Sequence, residues 1–312
     1  MTRLGRTIVH LALLLVLAAL PGRAVAQEHG QEPGHAAASG EIDIAHHLGN
    51  SHEFLGVELP RFAPVHLGGL IIDFSPTKHL MFMLVAAILV ALVFVTSARA
   101  IARAQAVGRP ATGFAGAMEA TALYIRQEVI LPNVGHHGEG FVPYLLSLFF
   151  FILAMNLLGL LPGGATATGN ISVTAALAVM AFLVIEITGM RALGTTGYLK
   201  TIFYLPGGLP GGIGGSMLKV VLLAVLTPIE LIGKLAKPFA LAVRLFANMT
   251  SGHVLVLALI GLTFLFKSYT VGLAAASLAT GVMLLELFVA FLQAFVFTLL
   301  TAVFIGLMRA EH

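Results

Sequence analysis

The chain has 312 residues, of which 58% are hydrophobic and only 10% are charged. A soluble domain carries about 25% charged residues, so this composition excludes a soluble enzyme and a nucleic-acid-binding protein. The 17 basic residues against 14 acidic ones give a net charge of +3, and they lie singly between apolar runs, as topology signals do. There is no cysteine, which excludes a disulfide framework, a thiolate metal site and a cysteine nucleophile.

Residues 1–26 have the features of a signal peptide. Two arginines precede an apolar stretch at 9–20, and Ala24-Val25-Ala26 has the small-x-small form of a cleavage site. We expect cleavage; the alternative is an uncleaved first transmembrane helix, for which the run is short. Either way, the segment that follows is exported.

Residues 27–78 form a His-rich arm that we place in the periplasm. Glycine, proline and acidic residues interrupt any helical period, which is typical of a loosely ordered segment. The histidines could bind a metal, but their spacing has no fixed ligand geometry, so a solvated tail is the preferred interpretation and no metal site is expected. The six histidines are His29, His35, His46, His47, His52 and His66.

Residues 79–312 form the membrane domain, and the predicted fold class is an all-α multi-pass membrane protein. Basic residues cluster after the first and third spans and are absent at 162–169, so the positive-inside rule places the N-terminus outside and the C-terminus in the cytoplasm. A glycine- and proline-rich run at 205–212 predicts a cytoplasmic turn. The five predicted spans are 79–98, 141–161, 171–190, 216–266 and 272–308.

The last two tracts are too long for an upright crossing. A helix over 272–308 would reach about 55 Å at about 1.5 Å per residue, against a hydrocarbon core of about 30 Å. It must tilt steeply or bend. The polar break Lys267-Ser268-Tyr269-Thr270 predicts an antiparallel hairpin, and Pro238 predicts a kink in its first arm.

Ionisable groups inside spans mark a pathway or a pair, and the first arm carries a stripe of polar residues. On a wheel of about 100° per residue, Glu230, Lys237, Asn248 and Ser251 all lie within about 40° of Arg244. A set of this size on one face favours function over ordinary buried helix-to-helix pairs. We call these five residues the polar stripe.

A second set of polar residues is predicted across the hairpin. His253 lies on the face opposite to Arg244, and Glu286 and Gln293 share a face of the second arm. Positions equally distant from the turn lie at similar depth, which pairs Arg244 with Gln293 and His253 with Glu286. Arginine keeps its proton and acts as a fixed charge, whereas histidine and glutamate can exchange protons.

These segments resemble the a subunit of the F-type ATP synthase membrane sector. The most specific motif is Arg244-Leu245-Phe246-Ala247-Asn248-Met249, preceded by Pro228-Ile229-Glu230-Leu231 and Lys237-Pro238. Met155-Asn156-Leu157-Leu158-Gly159-Leu160-Leu161-Pro162 and Leu292-Gln293-Ala294-Phe295 match as well. The resemblance covers about 73–308 and leaves out the signal peptide and the arm at 27–70.

The resemblance implies a proton-translocating stator subunit with two half-channels beside a ring of c subunits. Arg244 would face the passing ring carboxylate, Asn248 and Gln293 would line the route or support that arginine, and Glu230 would lie toward the cytoplasmic half-channel beside Lys237. Many bacterial members have an acid at the position of His253 and a histidine at that of Glu286. The exchange keeps one acid and one base, so the outer half-channel function stays plausible, with Ser251 and Asn156 as weaker candidates.

The implied partners are the c-subunit ring, b-type peripheral stalk subunits and the F1 catalytic sector, in the bacterial inner membrane. The chain has no Gly-x₄-Gly-Lys-[Ser/Thr] loop, so we expect no cofactor and no enzyme activity of its own. The alternative is a stand-alone proton-coupled transporter, although no internal broken-helix repeat supports it. An intramembrane protease fails, because Ser251 and His253 point about 200° apart on a helix.

Some assignments stay open at the level of sequence. Asn156 and Gly159 could serve close helix packing as well as function. Glu186 favours snorkelling or a local pair over a proton path, and Asp73 is an ordinary interfacial acid or part of an outer mouth. The coupling ion, proton or sodium, and the size of the ring are not encoded here.

Overall fold

The computed structural model describes residues 53–54, 57–58, 60, 65–67, 70–72, 77–135, 138–161, 166–203 and 213–310. The predicted signal peptide, most of the His-rich arm, Asp73 and the predicted turn at 205–212 lie outside the described residues. Two short antiparallel hairpins precede the first span: β1 (Glu53–Phe54) pairs with β2 (Val57–Glu58), and β3 (Val65–Leu67) pairs with β4 (Leu70–Ile72).

The rest of the described chain is helical. The α-helices are α1 (Lys78–Ala106), α2 (Gly113–Tyr124), α3 (Leu131–Val134), α4 (Val142–Gly159), α5 (Ile171–Ile202), α6 (Ile213–Phe266) and α7 (Tyr269–Ala310). A π-helical turn (Ile125–Ile130) links α2 to α3, and 3₁₀ turns (Gly138–Phe141 and Ala167–Gly169) precede α4 and α5.

Five helical segments are long and apolar enough to cross a membrane: Lys78–Ala106, Gly138–Gly159, Ile171–Ile202, Met217–Phe266 and Tyr269–Arg309. The predicted class, an all-α multi-pass membrane protein with about five spans, is confirmed. Two spans continue beyond their predicted ends, because basic residues such as Arg99 and Arg191 extend a helix into water without breaking it.

Side-chain caps fix where two spans begin. Thr77 accepts a hydrogen bond from the Leu80 backbone N–H at the start of α1, and Asn170 accepts one from Ser172 at the start of α5. Near its other end α5 is interrupted at Gly194, whose φ of 69° is left-handed and suits glycine. Its last two turns are therefore a separate helical piece.

The predicted helical hairpin is present as α6 and α7. The two arms are joined at Lys267 and Ser268, where Lys267 adopts a left-handed φ of 45° as residues after a helix end often do. The helix α6 runs through both Pro228 and Pro238. At 54 residues it would reach about 80 Å at about 1.5 Å per residue, so a membrane can contain it only if it tilts or bends.

A single apolar core joins α4, α5 and α7 with parts of α1 and α6. Phe149 is fully buried and makes edge-to-face contacts with Phe150 (centroids 5.0 Å apart) and Phe291 (5.6 Å). The C-terminal end of α7 is fastened by Arg309, which donates a 3.1 Å hydrogen bond to the Val134 carbonyl. Only one side of the hairpin packs against the other described helices.

Candidate functional site

The polar stripe of α6 lies on the outside of the helix bundle. Glu230, Lys237, Arg244 and Ser251 are exposed and Asn248 is half-buried, whereas Leu241 and Leu245 of the same helix pack into the core. The helical period explains this arrangement, since the leucines occupy one face and the stripe another. The structure therefore keeps the five predicted residues on one accessible face.

Apolar side chains surround the stripe and continue onto the second arm of the hairpin. Ile232 is 66% exposed and Phe239 is 70% exposed on α6, and Leu284 and Phe288 on α7 are 65% and 61% exposed. Such a surface suits lipid or another apolar protein and does not suit water.

Arg244 is an unpaired charge on that surface. Among the residues that the structure describes, its guanidinium makes no hydrogen bond and no ion pair. A permanent positive charge within an apolar span is costly unless it meets a partner or water. Within the described residues this charge has neither kind of compensation from another side chain, which leaves it accessible to a partner or to water.

Glu286 lies on the opposite arm and points at α6. Its residue is 8% exposed, and a Cβ added to Gly252 would overlap its carboxylate. A side chain at position 252 would therefore displace the end of the Glu286 side chain. This contact places the Glu286 carboxylate beside Gly252, the residue that precedes His253. His253 itself is half-buried. The hairpin spacing predicts this proximity of Glu286 to the region of His253.

Gln293 is 4% exposed and lies two turns further along α7. Within the described residues no hydrogen bond joins it to Arg244, which faces outward. The shared depth of Arg244 and Gln293 stays a prediction, and within the described residues no direct bond joins them.

Asn156 has a different environment, because it is fully buried and both polar atoms of its side chain are hydrogen-bonded. Thr168 Oγ1 donates a 2.7 Å hydrogen bond to Asn156 Oδ1, and Asn156 Nδ2 donates a 3.1 Å bond to the Ala290 carbonyl. Next to it, a Cβ on Gly159 would overlap the Thr166 side chain. Of the two alternatives for Asn156 and Gly159, this geometry favours close packing.

Sequence reasoning missed Lys234 as a member of a buried ion pair. Lys234 Nζ lies 3.8 Å from Glu186 Oε2, and the two side chains are 5% and 11% exposed. Lys234 lies about 80° from Arg244 on the helical wheel, so it does not belong to the polar stripe. The sequence feature that could have indicated this pair is the presence of two opposite charges in consecutive predicted spans. Of the alternatives for Glu186, the structure shows the local ion pair, formed with Lys234.

The chemistry of the whole arrangement is that of ion transfer. It combines one outward fixed cation with a carboxyl group and an imidazole that can take up and release protons. It has no set of groups that would activate a covalent nucleophile within the described residues, because the Ser251 hydroxyl donates to the Asn248 carbonyl of its own helix at 3.2 Å.

Comparison with known proteins assigns this arrangement to a family. The family described as "ATP synthase A chain" matches residues 79–306. The chain is 41% identical to ATP synthase subunit a 2 of Chlorobium luteolum, covering 94% of this chain and 87% of that protein. It is also 41% identical to the protein of the same name from Chlorobaculum tepidum, over 97% of this chain and 82% of the relative. For the relative in Prosthecochloris aestuarii the identity is 42%, over 96% and 89%. The matched range includes the segment from Glu230 to Gln293 that carries the polar residues of the hairpin, and the chain belongs to the ATP synthase A chain family.

Proposed function

We propose that this subunit of an ATP synthase conducts protons through two half-channels to and from carboxylates on a ring of c subunits. It acts as a stator, so that proton flow turns the ring and drives ATP synthesis. The observation that carries this proposal is Arg244, an exposed and unpaired guanidinium on an apolar face of α6. A ring helix with one buried carboxylate would supply both the apolar surface and the missing counter-charge.

In this proposal Arg244 separates the two half-channels. Its fixed charge stabilises the ionised ring carboxylate as it passes, because opposite charges attract strongly at low dielectric. The same charge repels a proton or another cation that would cross directly from one half-channel to the other. Asn248 and Gln293 line the route near that level.

Each half-channel has its own polar groups. His253 and Glu286 serve the half-channel nearer the hairpin turn, where the predicted topology places the outer side of the membrane. Glu230 and Lys237 lie on the other side of Arg244 along α6 and serve the inner half-channel. Each group needs to hold a proton only briefly, which suits residues that titrate.

The proposed setting is the bacterial inner membrane, with the N-terminus in the periplasm and the C-terminus in the cytoplasm. The peripheral stalk and the F1 sector would be the further partners. Nucleotide chemistry belongs to F1 in this scheme, since the chain has no phosphate-binding loop motif.

Cysteine cross-linking tests the proposal directly, because the chain has no native cysteine. One cysteine replaces Asn248 and another is placed near the carboxylate of the candidate ring helix, in native membranes that contain both proteins. We expect a disulfide-linked product of the two subunits. The matched control is Leu245→Cys, which lies three residues away but is only 1% exposed and should give no product.

Absence of the product at Asn248 and at neighbouring stripe positions would overturn the proposal. A stand-alone transporter would then be the remaining candidate, and cross-linking of Asn248→Cys to a second copy of the same chain would support it. None of the similarities to known proteins favours that candidate.

A further inference from the structure

A small cavity lies between α5, α6 and the C-terminal part of α7. Its volume is about 30 Å³, and its walls include Ala178, Glu186, Lys234, Lys237 and Phe304. A cavity of about 10–15 Å³ can hold one water molecule if polar groups surround it. This cavity is large enough and has three charged side chains in its walls, so it suits water.

Both members of the ion pair in the cavity wall can make further hydrogen bonds. Lys234 Nζ is 3.8 Å from Glu186 Oε2 and 3.4 Å from both Tyr198 Oη and Thr201 Oγ1. The ammonium also lies 4.3 Å from the centre of the Tyr198 ring. A tight charge-assisted hydrogen bond is about 2.7–2.9 Å long, so none of these contacts saturates the ammonium or the carboxylate. A water molecule in the cavity can complete both.

The cavity also reaches the polar stripe. Lys237 belongs to both, and Leu241 in the cavity wall is three residues from Arg244. All these groups lie on the side of Arg244 away from the hairpin turn, which is the side of the inner half-channel.

Packing alone does not account for a buried ion pair here. Replacing such a pair by apolar residues of similar size is often neutral or stabilising, and buried apolar side chains of both helices, Ile185 and Leu241, already line the same cavity. Charges kept within apolar spans by default mark a path for ions or protons.

We propose that Glu186 and Lys234 form a further proton-conducting site, a hydrated cavity that opens into the inner half-channel. A hydronium ion in the cavity gives its proton to the Glu186 carboxylate, leaving neutral water and a carboxyl group, and the reverse step releases the proton on the inner side. Lys234, 3.8 Å from the carboxylate, holds it in place. This site rests on the proposed function, since it needs a proton route beside Arg244.

The first test asks whether the cavity is wet. Ala178→Cys places a thiol in the cavity wall, at a residue that is 2% exposed, and Ala181→Cys is the matched control, 0% exposed on the same helix but outside the wall. Whole complexes in inverted membrane vesicles are treated with Ag⁺, a cation small enough to follow water. ATP-driven proton pumping is compared before and after treatment of each variant.

We expect Ag⁺ to inhibit the Ala178→Cys complex and to spare the Ala181→Cys complex. The inhibition should weaken when Glu186→Leu and Lys234→Met are added, because an apolar wall no longer holds water. Equal resistance of both thiols to Ag⁺ would overturn the proposal.

The second test measures passive proton flux through F1-depleted vesicles under an imposed potential. The double variant Glu186→Leu/Lys234→Met should assemble and yet conduct at least about 100-fold less, because a positioned proton-transfer group contributes about 10²–10⁴-fold. Glu186→Asp should keep most of the flux. A purely structural pair predicts normal flux in the double variant, and that result would overturn the proposal.

The two tests separate this site from the proposed function. If the double variant fails to assemble, the Ag⁺ result on Ala178→Cys decides. A cross-link of Asn248→Cys to the ring together with Ag⁺-resistant Ala178→Cys leaves the proposed function standing and removes this site alone. Loss of the cross-link removes both.

Discussion

Arg244 and Asn156 are both polar residues within the spans, but their surroundings are opposite. Arg244 lies on the outer face of α6, exposed and without a partner in the described part of the chain. Asn156 lies in the centre of the bundle at 0% exposure, with its carbonyl oxygen and its amide nitrogen each hydrogen-bonded. Asn156 offsets the cost of its burial with hydrogen bonds inside the bundle, whereas Arg244 avoids burial within the described chain.

The difference separates a residue used for folding from one available for a partner. A hydrogen-bonded group such as Asn156 holds α4, the turn before α5 and α7 together, because breaking its bonds would leave buried polar atoms unsatisfied. Arg244 makes no such bonds with the described residues and is therefore available to a partner. Polar residues of the first kind should affect assembly when changed, and those of the second kind should affect transport.

The largest expected effect is that of Arg244→Ala. ATP-driven proton pumping in inverted vesicles should fall to background, because the ring carboxylate loses the charge that stabilises its ionised form, while the amount of assembled complex should change little. The control is Arg109→Ala, an exposed arginine outside the hairpin, which should leave pumping normal. Wild-type pumping by the Arg244→Ala complex would end the fixed-charge hypothesis.

The exchange of the two titratable residues should have the next largest effect. We expect His253→Glu and Glu286→His each to lower pumping by about tenfold or more, as loss of a positioned proton-transfer group does. The double exchange should recover part of the loss, because it restores one acid and one base at the same depth. A double variant worse than both single variants would show that the two residues do not act as a pair.

A smaller effect should follow from Gly252→Ala, which adds one methyl group against the Glu286 carboxylate. The carboxylate must move away from α6, so pumping should fall severalfold while assembly persists. Gly261→Ala is the matched control on the same helix, since a Cβ there meets nothing within 4 Å. That change should be neutral or stabilise the helix by about 0.5–1 kcal/mol. Equal pumping by the two variants would contradict the proposed contact.

The smallest effect on transport, and a clear one on stability, is expected for Asn156→Leu. Removing its side-chain oxygen leaves the buried Thr168 hydroxyl without its acceptor, at a cost of about 1–3 kcal/mol. The purified complex should therefore dissociate at a lower temperature when it is heated. Proton pumping per assembled complex should be nearly unchanged. Thr121→Ala, which removes an exposed hydroxyl bonded within its own helix, should not shift that temperature. If Asn156→Leu abolished pumping in a complex of normal stability, Asn156 would belong with the transport residues.

Much of the hairpin was predictable because local rules dictate it. The apolar tracts, the break at Lys267 and Ser268 and the stripe of α6 all follow from composition and helical period. Even the shared depth of His253 and Glu286 needs only the position of the turn. The helices α1 and α5 are longer than their predicted spans. A predicted span ends where the apolar residues end, whereas a helix continues until its backbone hydrogen bonding stops or a glycine interrupts it.

The sequence by itself determined that this protein spans a membrane, that its last two helices form a long hairpin, and that one face of that hairpin carries Arg244 among apolar residues. Those features depend on neighbours in the chain and on the 3.6-residue period. Only the tertiary structure decided that Lys234 meets Glu186, that Gly252 accommodates the Glu286 carboxylate, and that Asn156 is committed to packing. Each of these depends on which helix faces which, and that is set by side-chain packing over the whole bundle rather than by any local pattern.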